Sequence, residues 1–403
     1  MPTQLAKLEV KWWPVGQGLF MSGRLSAKTG GHFNWVYDCG SSSGAKERND
    51  AIKKYRSQLA NKPIDLVVLS HFDEDHINGI VALVKGLHIK TLLIPYLPLW
   101  HRLLIAIGSG LTEDSELIPF YVNPVSYLES LEEGQIDEIV FVPATEPDDV
   151  VPLAEDAPDF DRPIQGGEVD SRLPVTEDKA DPALASEKKI RVCILARGGR
   201  ITVSALWEFV PYNDASMWPS VSSTFINRVS VVARAFCAKP KWRKVALKIL
   251  KRIYQKTFGV GSIPANVISL FLYSGPVGKQ LQFGKRWSST PLGYDHYRDN
   301  LAQLATGDGY LDTPARLTAM QSFFSLDRMK RVGLFQVMHH GAEPNWHVGV
   351  ANIIKPAASI FSSDPNFTHG HPNAKVLRDF WPWTAICVDK KKGFKLSAVI
   401  QIP

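Results

Sequence analysis

The chain has 403 residues, of which 45% are hydrophobic, 21% charged and 10% aromatic; these globular values exclude a mainly disordered, collagen-like or coiled-coil protein. The 46 basic and 40 acidic residues leave a net charge of +6, too small by itself to argue for nucleic acid. Four scattered cysteines (Cys39, Cys193, Cys237, Cys387) form no CxxC pair, which argues against a disulfide scaffold or a thiolate zinc site and for a reducing cytoplasm.

The amino terminus lacks the basic head, apolar core and small-residue cleavage site of a secretory signal. Strands are expected at 8–13 and 18–25, paired across a turn at 14–17, and again at 33–37. Residues 45–59 place Ile52, Tyr55 and Leu59 at helical spacing, with charges opposite. The β-branched run 64–69 (IDLVVL) suits a buried strand, followed by a helix at 78–87 and a strand at 91–94. The longest apolar stretch, 91–108, contains Pro95, Pro98, His101 and Arg102. These interrupt the roughly 20 apolar residues that a membrane span needs, so a soluble protein is expected.

Between 146 and 187, thirteen acidic residues meet three basic ones and six prolines. Such a segment has little apolar surface to offset its ordering entropy, and 146–188 reads as an acidic, flexible insertion. Residues 191–210 return to strand composition, with Gly198–Gly199 expected at a hairpin turn. From 215 to 294 there is no Asp or Glu, against thirteen Lys and Arg. Within it, 241–256 (KWRKVALKILKRIYQK) has helical periodicity. Trp242, Val245, Ala246, Ile249, Leu250 and Ile253 share one face, and Lys244, Lys248, Lys251 and Arg252 gather opposite. We read 215–262 as a basic helical insertion. Short strands are expected at 266–273, 334–338 and 358–362.

The sharpest chemistry lies at 70–76 (SHFDEDH), directly after a predicted strand. A tight loop there can aim His71, Asp73, Asp75 and His76 at one point. Further candidates are Asp308 in T-G-D, the pair His339–His340 before Gly341, and His371 in G-H-P. Seven of the eleven histidines fall in or near these groups, and none occurs between His101 and His296. A packed core does not demand that grouping, whereas a metal site does; mixed His and carboxylate ligands suit Zn²⁺ or the harder Mn²⁺. His32, His88, His101 and His296 read as structural or surface residues. Asp38 reads equally as a turn residue after a strand or as a buttress of the site.

This pattern resembles the metallo-β-lactamase fold superfamily, whose H-x-H-x-D-H signature follows a strand and is joined later by a G-D aspartate. Here Asp73 stands at the second histidine. The ordered set V-G-Q-G (15–18), D-C-G (38–40), S-H-x-D-x-D-H-x-x-G (70–79), T-G-D (306–308), H-H-G (339–341) and G-H-P (370–372) resembles the hydrolase domain of ComEC-type DNA-uptake proteins, without their membrane channel.

The resemblance implies an α/β fold, a four-layered αββα sandwich carrying the two insertions, as one domain over 1–403. It implies two divalent ions, Zn²⁺ or Mn²⁺, with His71 and Asp73 at the first, Asp75, His76 and His340 at the second, and Asp308 between them. A metal-bridging hydroxide would be the nucleophile, with Asp75 orienting it. His371 would bind the substrate phosphate or protonate the leaving oxygen. His339, one residue earlier on the same predicted strand, is expected to point away. The superfamily's third histidine has no equivalent between His101 and His296, which leaves one ion with fewer ligands.

Charge points to a substrate class. Thirteen positive charges without a negative one in 215–294 can track a polyanion, with Arg243, Lys244, Lys248 and Arg252 as the phosphate contacts. The expected activity is therefore a phosphodiesterase or nuclease acting on DNA. The ComEC resemblance adds a partner-dependent effector in a bacterial anti-phage system. Two other readings stay open: a hydrolase of a small ester, lactone or cyclic nucleotide, and a regulatory subunit of a larger complex with a vestigial site.

Overall fold

Alternation along the strands decides how the layers form. Val36, Val67, Leu92 and Ile139 face one side of their sheet and pack with helical residues. Their neighbours Trp35, Tyr37, Leu66, Val68, Leu93 and Val140 face the other side, against Leu270, Leu272, Leu334, Ala358 and Ile360 of a second sheet. That second sheet turns Phe271, Tyr273, Leu304, Phe335 and Phe361 outward onto Leu317, Met320, Phe323 and Phe324 of a further helix. The result is the four-layered αββα sandwich that the sequence led us to expect.

The computed structural model describes residues 3–28, 30–110, 112, 115, 117–131, 134–153, 164, 167–169, 172–174, 190–214, 216, 220–238, 242–259, 268–277, 282–290 and 300–402. Among these, one sheet has ten strands in the order Gln282–Ser288, Phe394–Ile402, Thr3–Trp12, Phe20–Ala27, His32–Cys39, Ile64–Val68, His88–Pro95, Gln135–Val142, Arg191–Leu195 and Arg172–Pro174. The other has eight, in the order Ala385–Val388, Ala358–Ser362, Val332–Gln336, Ala302–Ala305, Leu270–Pro276, Trp207–Asn213, Ile201–Val203 and Glu168–Val169. The central strands His32–Cys39, Ile64–Val68 and His88–Pro95 run parallel, as do Ala302–Ala305, Val332–Gln336 and Ala358–Ser362. Loops leaving their carboxyl ends therefore gather at one edge of the sandwich.

Several local expectations hold closely. The first hairpin pairs Leu8 with Leu25 and Trp12 with Met21, and the helix Ala45–Leu59 buries Ile52, Tyr55 and Leu59. The hairpin at Gly198–Gly199 does not form. Arg191–Leu195 pairs in the ten-stranded sheet and Ile201–Val203 in the eight-stranded one, so this glycine pair carries the chain between sheets. The turn is instead at Ser204 and Ala205, both with positive φ (50° and 48°), which matches the right-handed twist of a tight hairpin between Ile201–Val203 and Trp207–Asn213.

The basic helix, Arg243–Phe258, is also rotated from its expected setting. It buries Ala246, Leu247, Leu250 and Tyr254, while Trp242, Val245 and Ile249 stand exposed beside Lys244, Lys248 and Arg252. The reason is its neighbours: it packs with the helix Ser223–Ala238 and, through Tyr254, against Trp100 and Phe225. Of the acidic stretch 146–188, residues 154–163, 165–166, 170–171 and 175–188 lie outside the described residues.

The apolar run 91–108 ends a strand and then forms the helix Leu99–Gly108, which is buried along most of its length. No helix among the described residues is long and apolar enough to cross a membrane. Within that helix His101 stacks on Trp100, and burial pushes its imidazole down to about 4. The unfolded chain takes up this proton near the ordinary value, the folded chain only near 4, so stability is full above about pH 6.5 and is lost as pH falls toward 4. The shift corresponds to about 3 kcal/mol. A His101→Phe variant should lose less stability than the parent between pH 6.5 and 4, measured by urea unfolding.

Candidate metal centre

Four loops meet at the carboxyl edge. The first leaves Ile64–Val68 and runs through Ser70 into a short helix, Glu74–Ile77, with Asp73 as its N-terminal cap residue. Two distant glycines make room for it. A Cβ at Gly40 would lie 2.3 Å from the Asp75 carbonyl oxygen, and one at Gly18 2.8 Å from the same atom. This is the physical content of the V-G-Q-G and D-C-G motifs. The second loop is Thr306–Gly307–Asp308, whose Thr306 and Gly307 amides both donate to Gln336 Oε1 (2.8 and 2.7 Å). The third is the turn Met338–Gly341, and the fourth follows Ala358–Ser362.

The first and third loops present two histidine rings each, all in the same sense. Ser70 Oγ donates to Asp38 Oδ2 (2.6 Å) and so accepts from His71 Nδ1 (2.7 Å). His76 Nδ1 donates to Asp38 Oδ2 at 2.7 Å, and His340 Nδ1 to the Ser362 carbonyl at 2.6 Å. Asn345 spends its amide hydrogens on the carbonyls of Asp308 and Gly309, so its Oδ1 accepts from His339 Nδ1 (2.9 Å). All four rings are thereby held as Nδ1–H tautomers, the arrangement that partners around a metal site impose on ligating histidines.

Their Nε2 atoms converge on Asp308. His76 Nε2 is 3.1 Å and His340 Nε2 3.6 Å from Oδ1; His339 Nε2 is 3.3 Å and His71 Nε2 3.7 Å from Oδ2. Asp75 Oδ2 lies 3.3 Å from His340 Nε2, and Asp73 Oδ2 3.9 Å from His71 Nε2. Asp75, His76, Asp308 and His340 offer ligand atoms all within 4.8 Å of one another. Donors 2.0–2.2 Å from a tetrahedral ion lie about 3.3–3.6 Å apart; the 3.1, 3.3 and 3.6 Å distances among Asp75, His76, Asp308 and His340 lie within a few tenths of an ångström of that range, and the pairs His71–Asp308 and His71–Asp73 are somewhat wider. The Nε2 atoms of His71 and His76 and both Asp308 oxygens are buried without a hydrogen bond of good geometry. Buried polar atoms left in that state are costly, and a divalent cation would satisfy all of them.

Burial pushes the His71 imidazole down to about 3, with His76 acting in the same direction. Burial would depress His76 too, but Asp308, Asp38 and Asp75 hold it well above its usual range, and Asp308 and Asp75 likewise raise His340. Asp308, which burial alone would raise, is held well below the carboxylate range by His339, His76 and His340. Against the same effect of burial, His76 and His340 keep Asp75 at about 2. The carboxylates are therefore ionised at neutral pH, and their field draws positive charge to the histidines.

The structure brings together every ligand candidate read from the sequence: His71, Asp73, Asp75, His76, Asp308 and His340. One expectation is overturned. His339 does not point away, because the strand ends at Gln336 and both His339 (φ 43°) and His340 (φ 57°) adopt left-handed backbone. Strand alternation ceases there, and both rings face Asp308. Asp38 is a buttress: fully buried, with φ 55°, it holds His76 and Ser70. His371 sits beside His339, ring centroids 5.9 Å apart. Burial, then His339, His340 and His369, push it down to about 4, so at neutral pH it is an acceptor and hydrogen-bond donor rather than an acid. Sequence reading missed Ser70, Gln336 and Asn345 as positioning residues. Only Ser70, inside the ligand motif, carried a signal.

The expected polyanion contacts are distributed along one helix. Lys244, Lys248 and Arg252 are exposed, and Arg243 leans toward the Phe236 ring, 5.9 Å from its centroid. This helix belongs to the layer that backs the ligand loop, where Phe72 packs on Phe120 and its carbonyl accepts from Tyr121.

Residues 29–158 match the family model of the Metallo-beta-lactamase superfamily. The match includes the ligand loop 70–76 but ends before Asp308 and His340. No curated protein matches the chain. Among solved structures, it is similar to a long-form RNase Z from yeast, at 7% identity and a TM-score of 0.31; the match covers 82% of this chain and 32% of that one. The chain thus spans about a third of that protein's length.

Proposed function

We propose that this protein is a metal-dependent phosphodiesterase acting on nucleic acid, DNA in the first instance. The observation that carries the reading is the Asp308 carboxylate, which faces His76 and His340 with one oxygen and His71 and His339 with the other. We assign His71 and Asp73 to a first divalent ion, Asp75, His76 and His340 to a second, and Asp308 to both; Zn²⁺ and Mn²⁺ each suit these donors. Such a pair, when bound, supplies a water activated at neutral pH and a clamp on the phosphoryl oxygens.

The chain's own groups do the rest. Asp38 and Ser70 orient the ligand rings. Asp75, the most exposed of the three inward carboxylates, also orients the attacking water. His371, neutral at pH 7, binds a phosphate oxygen or accepts a proton at the rim. Support for nucleic acid comes from the ordered motifs, which resemble ComEC-type hydrolase domains, and from the exposed Lys244, Lys248 and Arg252 beside Trp242, a combination of charge and stacking surface suited to single strands. That resemblance also suggests an effector in an anti-phage system, working with a protein partner.

The test is cleavage of end-labelled single- and double-stranded DNA and RNA with Mn²⁺, Zn²⁺ or chelator. Metal-dependent cutting is expected, and neutralising Lys244, Lys248 and Arg252 together should weaken DNA binding and reduce its salt dependence by about 0.7–0.9 log units per charge. Turnover of small phosphodiester or ester reporters without DNA affinity would replace this reading with a small-molecule hydrolase.

A further inference from the structure

We propose that His339 is itself a metal ligand and takes the place of the histidine missing from the middle of the chain, so that both ions are fully held. This rests on the metal centre proposed above and goes beyond it, since that assignment leaves the first ion with His71, Asp73 and Asp308 alone.

Three observations support it. His339 Nε2 lies 3.3 Å from Asp308 Oδ2, the same oxygen that faces His71 Nε2 at 3.7 Å. Its Nδ1 hydrogen is committed to Asn345 Oδ1, so in the neutral ring a lone pair on Nε2 faces a carboxylate oxygen, a repulsive contact that a metal ion between them relieves, as a second ring proton would in its absence. The turn is also built for this aim. The His339 amide donates to the Gly307 carbonyl at 2.9 Å, and Asn345, which holds the ring, donates to the carbonyl of Asp308 itself. One asparagine therefore sets the position of both donors. The left-handed backbone at His339 and His340, uncommon outside glycine, is what allows adjacent residues to serve opposite oxygens of one aspartate.

The test uses metal-stripped full-length protein titrated with Co²⁺, followed by calorimetry and visible absorption. The parent should take two equivalents. His339→Ala should keep one and bind the second at least about a hundred-fold more weakly; His71→Ala should lose the same site, and His340→Ala the other. His339→Cys should restore the second equivalent and add a sulfur-to-cobalt charge-transfer band, which separates ligation from a folding defect. Two equivalents at unchanged affinity in His339→Ala would overturn the inference while leaving the metal centre standing. A parent that binds no Co²⁺ would overturn both.

Discussion

Asp308→Ala should abolish binding of both metal equivalents together and lower phosphodiester cleavage by about 10³-fold or more. The reasoning is local. Among the described residues, Asp308 is the one carboxylate within 4 Å of four histidine nitrogens, those of His71, His76, His339 and His340. Its removal takes away the carboxylate that both half-sites share and leaves four ring nitrogens facing one another across the centre. The contribution of metal ions to phosphoryl transfer is several kcal/mol, and each 1.36 kcal/mol is a factor of ten in rate. Asp308→Asn should fall between, since one oxygen remains to serve one ion. Metal content by mass spectrometry and single-turnover cleavage read the two effects separately. Retained cleavage in Asp308→Ala would remove the bridging role.

The second large effect concerns the fold. Arg328 is fully buried; its Nε and Nη2 donate to the two Glu208 oxygens (2.8 and 3.0 Å), and it also donates to the carbonyls of Val151 (2.6 Å) and Pro152 (2.9 Å). One guanidinium thus ties the helical layer to the eight-stranded sheet and to the start of the acidic stretch. Breaking a buried pair leaves the other charge uncompensated, at a cost of about 3–5 kcal/mol. Arg328→Ala should fall near the lower end of that range, because Arg200 still reaches Glu208 at 3.3 Å. The double variant Arg328→Met with Glu208→Leu should lose less than Arg328→Ala alone, as both desolvated charges disappear. Urea unfolding with calorimetry of metal binding checks this. Metal affinity of the folded protein should stay unchanged.

Much of the site was legible because it is encoded by short loops at strand ends. His71, Asp73, Asp75 and His76 lie within six residues, and a strand of period two followed by a tight turn gives little freedom in where they point. Asp308 and His340 follow strands in the same way. What could not be read was backbone conformation. Strand alternation points His339 away from the site, yet the strand ends at Gln336 and positive φ at His339 and His340 turns both rings inward. The basic helix was misoriented for a related reason. Its periodicity names an apolar stripe, but Trp100, Phe225 and the neighbouring helix decide which part of it is covered, and Leu247 and Tyr254 are buried where Trp242 and Val245 are not. Asn345 carried no sequence signal, because its role depends on contacts with residues 36 and 37 positions earlier.

The central claim is that one aspartate is shared by two ions. The most direct measurement is anomalous X-ray diffraction from crystals of the full chain grown with Mn²⁺, collected near the manganese absorption edge. Two peaks are predicted, one on the Oδ1 side of Asp308 among Asp75, His76 and His340, the other on the Oδ2 side between His71 and His339. Density free of anomalous signal around Asp308, with Mn²⁺ present in excess, would contradict the account.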